Sequence, residues 1–142
     1  MCQNMIPKFY LRILQGGSQE LKELIIKYLP TVWSIFPAVQ CNDMHVLLEQ
    51  FIAESDTWDA AMVAYNRADD PVAILAVTPV CRNVYQPGLG VHIAHIFTLE
   101  KGAGAFLYKQ LIKAGKKQDL SWVATYHPSY NRSSMIIRYN KL

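Results

Sequence analysis

Residues 91–115, VHIAHIFTLEKGAGAFLYKQLIKAG, decide how this chain is read. Val91 to Leu99 is an apolar run of strand-forming residues and Gly102-Ala103-Gly104 is a turn. An amphipathic helix follows, with Ala103, Phe106, Leu107, Leu111 and Ala114 on one face. Two glycines one residue apart at a helix start leave several backbone N–H groups uncovered. Those donors, with the positive end of the helix dipole, can hold a phosphate. The stricter phosphate motifs are absent: no GxxxxGK is followed by Ser or Thr, and GAGAFL lacks the third glycine of GxGxxG. A lone Gly-x-Gly equally serves a tight strand-to-helix connection. Lys101, beside the glycines, adds a cation.

Upstream, Lys8 to Leu14 reads as a strand that ends at Gly16-Gly17. Ser18 can cap a helix whose stripe is Leu21, Leu24, Ile25, Tyr28 and Leu29, with Glu20 in its first turn. Pro30 is expected to end it, leaving TVWSIFPAVQ as an irregular connection. Asn42 or Asp43 can cap a second helix with the stripe Met44, Leu47, Leu48, Phe51 and Ile52. Trp58–Tyr65 and Val72–Thr78 form a hairpin around a polar turn, and Pro79 ends or bulges the second strand. Arg82 to Gly90 is expected as a loop. Downstream of the third helix, Leu120–Tyr126 is a strand closed by Pro128. The tail NRSSMIIRYNKL is ambiguous: Met135, Ile136, Tyr139 and Leu142 suit a helix, while MIIRY alone suits a strand.

The order is β-α-α-β-β-β-α-β-α. Antiparallel strands followed by a β-α-β crossover imply a mixed, mostly antiparallel sheet with helices on both faces, a three-layer α/β fold. With 142 residues and no internal repeat or boundary, residues 1–142 read as one domain. The net charge of +3 is modest, and its densest cluster, Lys113, Lys116 and Lys117, is a helix end where cations are favoured. Nothing calls for nucleic acid. Three scattered cysteines with no CxxC make neither a disulfide framework nor a metal site. No apolar run approaches the ~18–20 residues of a membrane span. A cytoplasmic protein without metal is expected.

At the glycine turn the chain resembles the GNAT superfamily of acyl-CoA N-acyltransferases. That family joins its fourth strand to its third helix by a Q/R-x-x-G-x-G/A loop that holds the coenzyme A pyrophosphate. The equivalent here is Leu99-Glu100-Lys101-Gly102-Ala103-Gly104; both glycines match, and Leu99 departs from Gln/Arg. In the tail, Asn131, Ser134, Tyr139, Asn140, Lys141 and Leu142 are similar to the family's N-x-x-A-x-x-x-Y-x-K-x-G-F helix. The resemblance implies binding of acetyl-CoA through Phe97, Leu99, Lys101, Gly102, Ala103, Gly104, Ala105 and Asn131, with Tyr139 as the acid for the leaving thiolate. It also implies a final two-strand hairpin, which this chain is expected to lack.

Acyl transfer to an amine needs a base. The family often uses a Glu on its fourth strand, and here the titratable groups are His92 and His95. Strand alternation puts these on opposite faces; His95 is the favoured base, since imidazole titrates near neutrality. Glu49, Glu54, Asp56 and Asp59 border the expected acceptor side, while Tyr126, His127 and Tyr130 lie near the cofactor cleft. Cys81 beside Arg82, or Cys41 near His45, is a weaker nucleophile candidate. The expected function is an acyl-CoA-dependent, acetyl-transferring N-acyltransferase acting on a small-molecule or protein amine. The alternative is a non-catalytic subunit of a larger assembly, such as a virion component, with a homo-oligomer or other partner on the sheet edge.

Overall fold

The computed structural model describes residues 7–35, 43–128 and 135–142. In chain order the elements are β1 (Tyr10–Gln15), α1 (Gln19–Ile35), α2 (Met44–Ser55), β2 (Ala60–Tyr65) and β3 (Pro71–Val77). They continue as β4 (Cys81–Asn83), β5 (Gln86–Thr98), α3 (Ala103–Lys117), β6 (Trp122–Pro128) and β7 (Met135–Lys141). The seven strands form one sheet in the order β1-β2-β3-β5-β6-β7, with β4 paired to β5. Every pairing is antiparallel except β5 with β6, which α3 connects as a crossover. The mixed, mostly antiparallel three-layer architecture expected from the sequence is present.

Each helix buries the stripe read from its sequence. On one face of the sheet, Ala103, Leu107 and Leu111 of α3 pack with Met62, Leu75, Ile93 and Val123. On the other, Leu21, Leu24, Ile25 and Leu29 of α1 and Leu47 of α2 pack with Ala61, Val63 and Ala76. Small residues alternating along β2 let both layers approach closely. Ser18 Oγ accepts the Leu21 N–H at 3.3 Å, and Asp43 Oδ1 accepts the His45 N–H at 2.9 Å, so both first-turn caps form. No described helix is long and apolar enough to cross a membrane.

Three sequence expectations are corrected. Helix α1 runs through Pro30 to Ile35 rather than ending there. Pro30 removes the bond to the Ile26 carbonyl, but both residues lie on the exposed side, where water can satisfy that group. The loop expected at 82–90 is a hairpin: Cys81 pairs with Gly90 and Arg82 with Leu89, and Pro87-Gly88 is absorbed as a bulge before Gln86 meets Asn83. Asn83 Oδ1 accepts the Tyr85 N–H at 2.8 Å and closes this turn. The tail is β7 rather than a helix, paired from Trp122↔Lys141 to Pro128↔Met135. An open edge on β6 selects the strand alternative of MIIRY, so the sheet closes with a hairpin that the sequence reading had taken as missing.

Leu107 is fully buried at the centre of the α3 layer. Leu107→Ala should cost about 2–5 kcal/mol, the usual penalty for a cavity at such a site. Urea unfolding would register this as a lower midpoint with an unchanged slope.

Candidate active site

Strand β5 changes partners along its length. Gly90–His92 pair in parallel with Trp122–Ala124 of β6, and that ladder stops there. Ile93–Thr98 pair instead with β3, while β6 pairs with β7 along its whole length. The two strands therefore part after His92. A bulge marks the point of divergence: Val77 pairs with Ile93 and Ala76 with His95, leaving Ala94 extra on β5. A bulge bends its strand and increases its twist.

Two cavities open at this parting. One, of about 530 Å³, lies on the α3 side between β5 and β6. Ile93 and Ile96 form one wall, Thr125, Arg138 and Asn140 the other, and Gly104, Ala105 and Tyr108 of α3 close the end. The second, of about 500 Å³, lies on the α2 side, bounded by Glu54, Thr78–Cys81 and His92. Ala94, His95 and Tyr126 line both.

The bulge overturns one expectation. Strict alternation separates His92 from His95, but the extra residue returns both to the α2-side cavity. His95 Nε2 lies 2.5 Å from Glu54 Oε2, and Trp58 Nε1 donates to that same oxygen at 2.9 Å. The imidazole stacks on Phe97, with ring centroids 5.8 Å apart, and touches Phe51 and Trp58. A carboxylate only accepts, so the neutral ring carries its hydrogen on Nε2 and keeps Nδ1 bare. Opposite, Tyr126 Oη lies 2.6 Å from His92 Nδ1 and the two rings stack. Burial lowers the His92 pKa. Burial, followed by the proximity of Tyr139 and Cys81, raises that of Tyr126.

At the head of α3, Gly102 takes φ +89°, a conformation that side chains disfavour. The Ala103 N–H is taken by the Glu100 carbonyl and that of Phe106 by the Gly102 carbonyl. The N–H groups of Gly104 and Ala105 have no acceptor among the described residues. A Cβ on Gly104 would stand 2.3 Å from Thr98 Oγ1, so any side chain there would force Thr98 to shift. Gly104 and Ala105 thus bring free donors to the end of the α3-side cavity, with Arg138 across from them.

Several solved structures of similar fold are acetyltransferases. A possible acetyltransferase from Clostridium difficile 630 is 16% identical over 88% of this chain and 83% of its own, with a TM-score of 0.64. A GNAT family acetyltransferase from Brucella melitensis, in complex with acetyl-CoA, is 11% identical over 94% and 88%, TM-score 0.60. The aminoglycoside 6'-N-acetyltransferase AAC(6')-Ih from Acinetobacter baumannii is 16% identical over 87% and 82%, TM-score 0.55. The chain has the GNAT fold. No protein-family model matches its sequence, and no curated protein does.

Within this GNAT fold the residues named from sequence separate into groups. His95, Gly104 and Ala105 converge on the α3-side cavity, and Lys101 and Gly102 form the turn leading into it. Ala103 is wholly buried in the α3 core, so only its backbone faces the turn. Phe97 packs under His95, and Leu99 donates its N–H to the Val72 carbonyl at 2.8 Å; neither lines the cavity. Tyr139 sits on β7, accepts from Asn83 Nδ2 at 2.7 Å and lines neither cavity. Asn131, Cys2, Cys41, Tyr130 and the side chain of His127 lie outside what the structure describes. Of the four carboxylates, Glu54 reaches the site and Asp56 pairs with Lys22 at 3.1 Å; Glu49 and Asp59 are exposed outside it. Arg138, Asn140 and Thr125 were missed, because their shared face appears only once the tail is known to be a strand on β6.

His92 binds its proton less readily folded than unfolded. The unfolded state therefore takes up more protons as pH falls through the ordinary imidazole range, and stability is lost there. His92→Gln should flatten that part of a plot of urea midpoint against pH.

Proposed function

We propose that this chain is an acyl-CoA-dependent N-acyltransferase that passes an acyl group, acetyl first of all, to a small-molecule amine by direct attack. The observation that carries this reading is the meeting of two cavities, on opposite faces of the sheet, at Ala94, His95 and Tyr126. Such a passage lets an amine on one side reach a thioester on the other without a covalent enzyme intermediate. The donor set on the α3 side fits a diphosphate: free N–H groups at Gly104 and Ala105, a helix N-terminus, and the Arg138 guanidinium. Acyl-CoA would supply the activated carbonyl and a thiolate leaving group.

His95 is assigned as the base. Its bare Nδ1 takes the amine proton, while the Glu54 carboxylate steadies the imidazolium that forms. Backbone N–H groups of β5 beyond the end of the β6 ladder would face the developing oxyanion. The sequence resemblance gives the thiolate's acid to Tyr139. Tyr126, however, is the tyrosine that lines both cavities, and the role is assigned to it. A tyrosine hydroxyl, whose ordinary pKa is about 10, is protonated at neutral pH, and burial raises it further here.

Calorimetry with CoA tests the binding half. Gly104→Val should weaken CoA by roughly tenfold or more, about 1.4 kcal/mol. A wild-type chain that ignores millimolar CoA would favour the second reading, a non-catalytic GNAT-fold subunit. That reading rests on Leu99 at the family's Gln/Arg position and on exposed Tyr10 and Ile13 along the β1 edge.

The acid can be identified by changing the leaving group. Tyr126→Phe should slow acetyl transfer from acetyl-CoA by about 10²-fold or more. It should barely slow transfer from an aromatic thioester, whose thiolate departs without a proton. A loss carried by Tyr139→Phe instead would return the role to β7.

A further inference from the structure

We infer that the acceptor is a monoamine carried on an apolar or aromatic body, rather than a polycation such as a polyamine or amino sugar. This rests on the acyltransfer reading of the site and identifies what the α2-side cavity takes.

The walls of that cavity carry one carboxylate, Glu54, among the described residues. That carboxylate already holds His95 Nε2 and Trp58 Nε1, so with a neutral His95 the pair presents a single negative charge. One negative charge balances one ammonium. A second or third ammonium entering the same space would be desolvated without a partner, which is costly. The other carboxylates of this region do not help, since Asp56 is engaged by Lys22 and Glu49 and Asp59 are exposed elsewhere. Segments 36–42 (FPAVQCN) and 129–134 (SYNRSS) contain no Asp or Glu and can add none.

The rest of the surface favours an apolar partner. Pro79, Val80 and Ala94 line the cavity beside the rings of His92 and Tyr126. Val80 is 45% exposed and Tyr126 41%, so two large side chains present surface that a substrate body could cover. Covering such apolar surface favours binding. The stacked His92–Tyr126 rings offer a flat face, which suits an aromatic body.

The test compares 2-phenylethylamine with spermidine on the full chain. Thiol release from acetyl-CoA gives kcat/KM, and calorimetry with CoA present gives amine binding without turnover. The monoamine is expected to lead by roughly tenfold or more in both. Val80→Asp, which adds a second carboxylate at an exposed position, should narrow that lead. Spermidine equal to or better than 2-phenylethylamine would overturn the inference. If neither amine supports turnover but the monoamine still binds more tightly, the acyltransfer reading fails and the pocket assignment stands. Binding of neither amine overturns the assignment.

Discussion

Strand β5 cannot serve β3 and β6 over its whole length, and the site depends on that limit. Its first half is held between β4 and β6, and its second half belongs to β3. The bulge at Ala94 turns the strand away from β6, and three consequences follow from the one extra residue. Ladder groups of β5 beyond His92 lose β6 as a partner. The sheet opens into the cavity of about 530 Å³ between Ile96 and Thr125. Finally, His95 is carried to the α2 face, where Glu54 can reach it. The close start of α3 on Thr98, which glycine at 104 permits without displacing that side chain, then aims a helix N-terminus at the same opening.

This division of β5 also explains why polar groups gather in an otherwise apolar sheet. Both faces of β2 and β3 are covered by helices, and apart from Tyr65 at the end of β2 their side chains are small or apolar. A sealed sheet leaves little room for water or ligand. Beyond the end of the β5–β6 ladder, His95, Tyr126, Arg138 and Asn140 line the opening between the strands. Two hydrogen-bonded pairs satisfy four of the polar groups there: His95 with Glu54, and His92 with Tyr126. A polar group in a partly desolvated cleft requires such a partner.

Much of the fold was legible because its signals are local. Helical stripes, the Asp43 cap and the glycine turn each announce themselves within a few residues. What escaped depends on partners distant in sequence. MIIRY has helical and strand periods at once, and only the open edge of β6 decides between them. Pro30 reads as a stop until one sees that its side of α1 faces water. The candidate site followed the same division. Gly104 and His95 were visible in the strand–turn–helix stretch, whereas Arg138 required the β6–β7 register. The placement of His95 on the same face as His92 required a bulge, since alternation assigns faces correctly only while each residue on one strand meets one on the other.

The Glu54–His95 pair also couples α2 to the sheet. Glu54 stands near the C-terminal end of α2, and Trp58, three residues beyond that helix, donates to its carboxylate from within the α1–α2 core. Any shift of α2 relative to β5 would pull Oε2 away from one of its two donors. The buried Trp58 indole fixes that helix end, and Phe51 and Phe97 fix the imidazole plane. Packing in the hydrophobic layer therefore sets where the Nδ1 lone pair lies. In this fold His95 is positioned by the core, and its strand supplies only the backbone from which it hangs.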